Sequence, residues 1–319
     1  MRALFAVALL GVAAFAGAEE PAPPPSPAPF LWEVQGAKAK HYLLGAVHVL
    51  PSSSQPLPAA LDAAYAASRV LVVETDLDAL TTPELQNVML GAAREDRSGG
   101  LKKRIGKPLY TKLQKRAHSL GMPTPVCDAF RAWFCALALE LYPLQQAQFS
   151  PDYGIDRHYF TLARDDARPI VFLETPQFQV GLFTQMPDTL SKQMLEATLD
   201  ETTYESQSPQ ELEHIWRAGD MASMEKVVKD MRGKFPALYA RLISDRNRAW
   251  LPVLEDQLAS DIPALVVVGA AHFAGPEGLI TLLKARGVEA KPATLPIAPA
   301  PAPMKEPARE PATAPANPG

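Results

Sequence analysis

Two stretches at opposite ends of the chain, Tyr42-Leu43-Leu44-Gly45-Ala46-Val47-His48 and Val266-Val267-Val268-Gly269-Ala270-Ala271-His272, share one pattern. An apolar run stops at a glycine, and a histidine follows three residues later. Such runs read as strands. A glycine at the strand end lets the backbone turn sharply, or lets a ligand or metal approach it. With 18 glycines and 6 histidines in 319 residues, random placement gives roughly 0.3 pairs at this spacing. Two pairs, each at a strand end, therefore constrain the fold: it must carry two imidazoles out of a sheet.

Two further apolar runs end in a carboxylate. Arg69-Val70-Leu71-Val72-Val73-Glu74 and Pro169-Ile170-Val171-Phe172-Leu173-Glu174 read as strands of a parallel or mixed sheet. In open α/β sheets, ligands bind beyond the carboxyl ends of the strands. If the four ends align, His48, Glu74, Glu174 and His272 share one cleft. Either histidine alone is read as a hydrogen-bonded loop residue. A glutamate at the end of a buried strand needs a partner, because an unpaired charge there is costly.

A helical reading of Tyr239 to Leu258 supplies that partner. Tyr239, Leu242, Ile243, Trp250, Val253 and Leu254 share one apolar face, with Arg246 in its middle and Asn247 on its flank. Arg246 can neutralise Glu74 or Glu174 as a structural ion pair, or serve as a clamp for an oxyanion or carboxylate. Pro252 is expected to kink or end this helix. Asp156 stands at a helix start, where capping is the simple alternative to a site role. His41, His118, His158 and His214 read as surface or satisfied histidines.

The rest of the chain frames this cleft. Met1 to Ala18 has one Arg2, an apolar stretch and a closing Ala16-Gly17-Ala18, the pattern of a cleaved secretory signal. Residues 19–29 form a proline- and alanine-rich spacer, and residues 293–319 a tail of similar composition read as disordered. Between them, residues 30–292 are expected to form one α/β domain. Its central mixed sheet begins with an antiparallel hairpin at Phe30 to Leu44 and is flanked by helices. Thr175 to Leu258 reads as a large helical insertion before the last main strand, Ala264 to Val268. A helix at Gly278 to Arg286 and a short strand at Val288 to Lys291 close the domain. The buried helix Asp128 to Leu141 would hold Cys127 and Cys135 about 12 Å apart, leaving both as free thiols. A net charge of -4 argues against nucleic-acid and anionic-membrane partners. No segment after the signal is apolar enough to span a bilayer, so the expected location is periplasmic or extracellular.

These residues together resemble the TraB/PrgY/GumN family. The resemblance rests on Leu31-Trp32-Glu33-Val34, the paired G-x-x-H stretches, Val73-Glu74, Ala132-Trp133-Phe134, Tyr153-Gly154-Ile155-Asp156, Phe172-Leu173-Glu174-Thr175 with Gln179, and Arg246-Asn247. The exported, GumN-like branch fits best. The resemblance implies a Tiki-type α/β fold related to erythromycin esterases and to haem-binding ChaN-like proteins. It implies His48 and His272 as ligands of a divalent metal such as manganese, cobalt or zinc. Glu74 and Glu174 become ligand or general base, Arg246 and Asn247 assist them, and Gly45, Gly269 and Asp156 support the site.

Three functions follow as expectations. The first is metal-assisted hydrolysis of a peptide or small-molecule amide or ester. The second is a metal-independent esterase-like hydrolase using histidine and glutamate, and the third a non-catalytic binder of peptide or haem. The helical zincin motif H-E-x-x-H and the serine-hydrolase elbow G-x-S-x-G are both absent from the sequence. Substrate and metal identity stay open at this point.

Overall fold

The computed structural model describes residues 30–95, 100–123, 127–200 and 209–294. The expected signal, the spacer and most of the tail lie outside these residues. The central feature is a six-stranded mixed sheet ordered β6-β4-β7-β2-β1-β8. Its strands are β1 (Leu31–Val34), β2 (Tyr42–Ala46), β4 (Val70–Val73), β6 (Ile170–Phe172), β7 (Ala264–Gly269) and β8 (Ala290–Pro292). Two short strands, β3 (Leu50–Pro51) and β5 (Phe149–Ser150), pair separately.

The expected hairpin is present: β1 and β2 run antiparallel with Trp32 opposite Leu43, across a turn in which Gly36 adopts a φ of 69°. The strands β2, β7, β4 and β6 are parallel. Their register sets Ala46 opposite Gly269, and Val73 opposite both Val267 and Phe172. All four carboxyl ends therefore open on the same edge of the sheet.

Burial follows position. β7 lies between two parallel neighbours and is buried along its whole length, as its unbroken apolar run requires. β6, expected as a second apolar strand, is short and half-exposed, with Phe172 41% exposed. Its place at the sheet edge is the reason.

The helical insertion is present as helices Pro176–Thr184, Asp188–Thr198, Pro209–Arg217, Met221–Lys234, Pro236–Tyr239 and Asp245–Ala259. It does not pack alone. Helices Gly100–Ile105, Lys107–Ser119 and Ala132–Gln146 join Asp188–Thr198 around a second apolar core containing Leu113, Trp133, Cys135 and Leu195. The helix expected at Asp128 begins instead at Ala132. Both cysteines are free and buried, as expected. The helical spacing is not the reason, because the chain turns before Ala132 and Cys135 Sγ lies 3.5 Å from the Cys127 carbonyl. Pro252 does not end its helix, which runs from Asp245 to Ala259, and a π-helical turn at Ala240–Ser244 precedes it. Such turns are concentrated at functional sites.

Candidate active site

The four strand ends converge as the sequence predicted. Glu74, immediately after β4, is buried; its Oε1 accepts from the Gly269 N–H at 2.8 Å, and its Oε2 from Arg246 Nη2 at 2.5 Å and Gln179 Nε2 at 3.2 Å. Glu174 meets the same guanidinium in a two-pronged contact, from Nη2 at 2.7 Å and Nε at 3.1 Å, and also accepts from Trp250 Nε1 at 3.1 Å. One arginine thus neutralises both carboxylates, which is the geometry its planar fork favours.

Arg246 also holds the second histidine. Its Nη1 donates to His272 Nε2 at 3.1 Å and to the Leu242 carbonyl at 3.1 Å. Asn247 Nδ2 donates to the carbonyls of His272 and Glu277, at 3.0 and 2.8 Å. That leaves Asn247 Oδ1 to accept from His272 Nδ1 at 2.6 Å, so His272 carries its proton on Nδ1. The Trp250 ring packs 4.5 Å from the His272 ring. Arg246 and Asn247 are committed to these contacts.

His48 differs from His272. Its Nδ1 lies 2.9 Å from Asp156 Oδ2, and its Nε2 makes no hydrogen bond among the described residues. The side chain is 55% exposed, whereas the rest of the cluster is buried. Asp156 does not cap its own helix, Ile155–Asp165, whose N-terminal Gly154 makes no side-chain cap either. Asp156 thus meets the His48 ring rather than capping its helix.

The glycines explain how these groups approach. A Cβ on Gly269 would lie 3.0 Å from His48 Nε2, 3.4 Å from Glu74 Oε1 and 3.5 Å from His272 Cδ2. Three side chains thus crowd around one missing methyl group. A Cβ on Gly45 would meet Phe30 and Ala270 at 3.0–3.2 Å, so that glycine lets β2 pack against the turn carrying His272.

Electrostatics divides the cluster into fixed and adjustable parts. Burial pushes Glu74 up, but Arg246, the two histidines and the Gly269 N–H together hold it well below the usual carboxylate range. Burial raises Glu174, and its bonds to Arg246 only partly oppose this. Burial lowers His272 to about 3, so this ring is neutral and serves as an acceptor for Arg246. Asp156 raises His48 to about 9 against the opposing effect of desolvation, with Glu74 adding to the pull. Water reaching the half-open ring screens part of that attraction.

A divalent metal would need donors that this cluster has already committed elsewhere. Among the described residues, no group of three or more His, Cys, Asp or Glu side chains is arranged to hold one. The chemistry of the cluster accounts for this. Arg246 occupies the lone pair of His272 Nε2 and one oxygen of Glu74, and a second cation there would face a guanidinium. As arranged, the residues do not fit a metal ion.

Several contributors were not assigned from sequence. Gln179 was legible only through the family resemblance, and Trp250 read as a core residue although it lies one turn from Arg246 on the same face. Trp216 donates from Nε1 to the Gly45 carbonyl at 2.8 Å, and nothing in its local sequence signals that contact.

The fold and site define an α/β protein with a histidine, carboxylate and arginine cluster at the carboxyl edge of a mixed sheet. The family model for the TraB/PrgY/gumN family matches residues 30–292, and the chain belongs to that family. It is also similar to the "Uncharacterized protein YbaP" of Escherichia coli strain K12, with 24% identity over 245 residues, 76% of this chain and 87% of that protein. The protein of the same name from Shigella flexneri gives the same values. No solved structure matches.

Proposed function

We propose that this chain is an exported hydrolase of neutral esters or amides that works through the His48–Asp156 pair without a bound metal. The observation that carries this reading is the state of His48: Nδ1 is anchored on Asp156, while Nε2 is free beside Glu74 and Gly269. That arrangement orients an imidazole for proton transfer. In its neutral form, which the raised pKa makes the minor one below about pH 9, Nε2 takes a proton from water as the water oxygen adds to the carbonyl carbon. The resulting imidazolium, stabilised by Asp156 and Glu74, returns the proton to the leaving oxygen or nitrogen. The acyl group departs as a carboxylic acid, which then ionises. Arg246, Glu174, His272 and Asn247 hold Glu74 in place and keep its charge fixed.

Metal-assisted hydrolysis is the second reading. The approach of His48, Glu74 and His272 around Gly269 favours it, and the engagement of Arg246 with two of those residues opposes it. Export is supported by the signal-like start of the sequence. No helix among the described residues is long and apolar enough to cross a membrane.

The test is a panel of neutral p-nitrophenyl esters and anilides with the mature protein, beside His48→Gln and Asp156→Asn. Turnover that falls about 100-fold or more in His48→Gln supports the reading. Ligand binding without turnover of any compound would instead indicate a binding protein.

A further inference from the structure

Helix Pro176–Thr184 stands between two hollows. Its Gln179 lines the cavity that holds His48 and Glu74, whereas Phe178, Gly181 and Leu182, with Gln185 just beyond the helix, line a separate groove of about 790 Å³. Those four residues follow the i, i+3, i+4, i+7 spacing of one helical face. Leu190 from the next helix, and Ala237 and Ala249 from the helical run opposite, add to its apolar lining. At about 30 Å³ per water-sized group, the groove has room for about 26 non-hydrogen atoms.

Arg241 brings to this groove a positive charge with no acidic partner. Its Nε donates to the Leu182 carbonyl at 2.6 Å and its Nη2 to the Gly181 carbonyl at 2.8 Å, while Nη1 makes no hydrogen bond among the described residues. Asp245, one turn further on, pairs instead with Arg248 at 2.9 Å. The second cation of the lining, Arg246, is spent on Glu74 and Glu174. Burial lowers the Arg241 pKa, and no carboxylate opposes it. A half-buried guanidinium that meets only carbonyl groups keeps its charge uncompensated, and an anion is its complement.

A second donor converges on the same place. Gly181 lacks a Cβ, and the Gln185 amide lies over the gap, with Nε2 3.4 Å from where that carbon would stand. The carbonyl of the same glycine takes Arg241 Nη2, so the amide and the guanidinium flank one residue. The Gln185 side chain makes no hydrogen bond among the described residues. Two neighbouring donors suit the two oxygens of a carboxylate, whereas a phosphate or sulfate brings more acceptors than they can meet.

We propose that this groove binds a monocarboxylate with an apolar tail, Arg241 Nη1 and Gln185 Nε2 holding the carboxylate while the tail lies along Phe178, Leu182 and Leu190. Phe178, exposed beside the groove, gains an apolar partner when the tail is bound. The site is distinct from the His48 cavity, and it stands whether or not the chain is a hydrolase.

The test is calorimetric titration of the purified protein with 4-phenylbutyrate and with 4-phenylbutyramide, which share a tail and differ in charge. Saturable binding of the carboxylate, about tenfold or more tighter than the amide, is expected. Gln185→Glu, at an exposed position, sets a fixed carboxylate beside Arg241. It should weaken 4-phenylbutyrate about tenfold or more and leave the unfolding midpoint unchanged. Arg241→Gln should bring the two ligands to equal affinity. No saturable binding of 4-phenylbutyrate, equal affinity for both ligands in the parent, or a carboxylate affinity indifferent to Gln185→Glu overturns the proposal. A dimer in sedimentation whose formation excludes 4-phenylbutyrate would place a second copy of the chain in the groove and overturn it as well.

Discussion

Arg246 Nη2 lies 2.5 Å from Glu74 Oε2, and both side chains are more than nine-tenths buried. The same nitrogen is 2.7 Å from Glu174 Oε1. Two carboxylates from neighbouring parallel strands therefore share one cation supplied by a helix 72 residues beyond the second of them. This contact ties the helical insertion to the sheet, and it fixes the charge on Glu74 that faces His48.

Breaking that pair should be costly, because removing one partner leaves a buried charge uncompensated. Arg246→Ala is expected to lose about 3–5 kcal/mol in denaturant unfolding. Arg246→Lys should recover only part of this, since a point charge cannot make the two-pronged contact with Glu174. An unfolding midpoint within error of the parent for Arg246→Ala would show that the network carries no stability.

The His48–Asp156 contact predicts a titration that needs no substrate. The ring should titrate well above the ordinary value of 6.5, toward about 9, because Asp156 favours the charged form. Asp156→Asn should return it to about 6.5 or below, as desolvation then acts with less opposition. NMR of the ring protons reads both values.

The two glycines that crowd His48 should respond differently to alanine. In Gly269→Ala the new methyl meets side-chain atoms, His48 Nε2 at 3.0 Å and Glu74 Oε1 at 3.4 Å, which can shift. Stability should fall by about 1–2 kcal/mol, with the His48 ring displaced. In Gly154→Ala the methyl would lie 2.3 Å from the His48 carbonyl oxygen, which cannot yield without moving backbone. That variant should lose more, about 3 kcal/mol, in the same unfolding measurement.

A histidine outside the site contributes to acid stability alongside His272, whose pKa burial also lowers. His41 is fully buried; its Nδ1 accepts from the Ala264 N–H at 3.3 Å, and its Nε2 faces the Ser260 carbonyl at 3.3 Å. Burial lowers its pKa below 6.5, with the Ser260 contact opposing. A lowered histidine binds fewer protons when folded than when unfolded. Its contribution is thus complete above about pH 6.5 and is lost as pH falls below that value. The melting temperature should drop between pH 7 and pH 5, and His41→Asn, less stable overall, should show a smaller drop.

Much of this arrangement was legible in the sequence because it rests on strand ends. Unbroken apolar runs at Val70–Val73 and Ala264–Gly269 report parallel neighbours on both sides, and the residue that follows each run must emerge on the sheet's carboxyl edge. Arg246 was legible because a charge within an apolar helical face requires a partner. The contacts of Gln179, Trp216 and Trp250 were not, since each depends on how the insertion folds back across more than 70 residues. The start of the helix at Ala132 was missed for a related reason. The residues just before it turn so that the Arg131 N–H can meet the Ala93 carbonyl at 2.7 Å, a tertiary constraint that outweighs local helical composition.

The decisive measurement is the rate of neutral ester hydrolysis by the purified protein after exhaustive chelation, with His48→Gln in parallel. The expected result is a rate that chelator leaves unchanged and that falls about 100-fold or more in His48→Gln. Loss of the rate on chelation with recovery on adding manganese, cobalt or zinc would contradict metal-free catalysis by the His48–Asp156 pair, as would a chelator-resistant rate indifferent to His48.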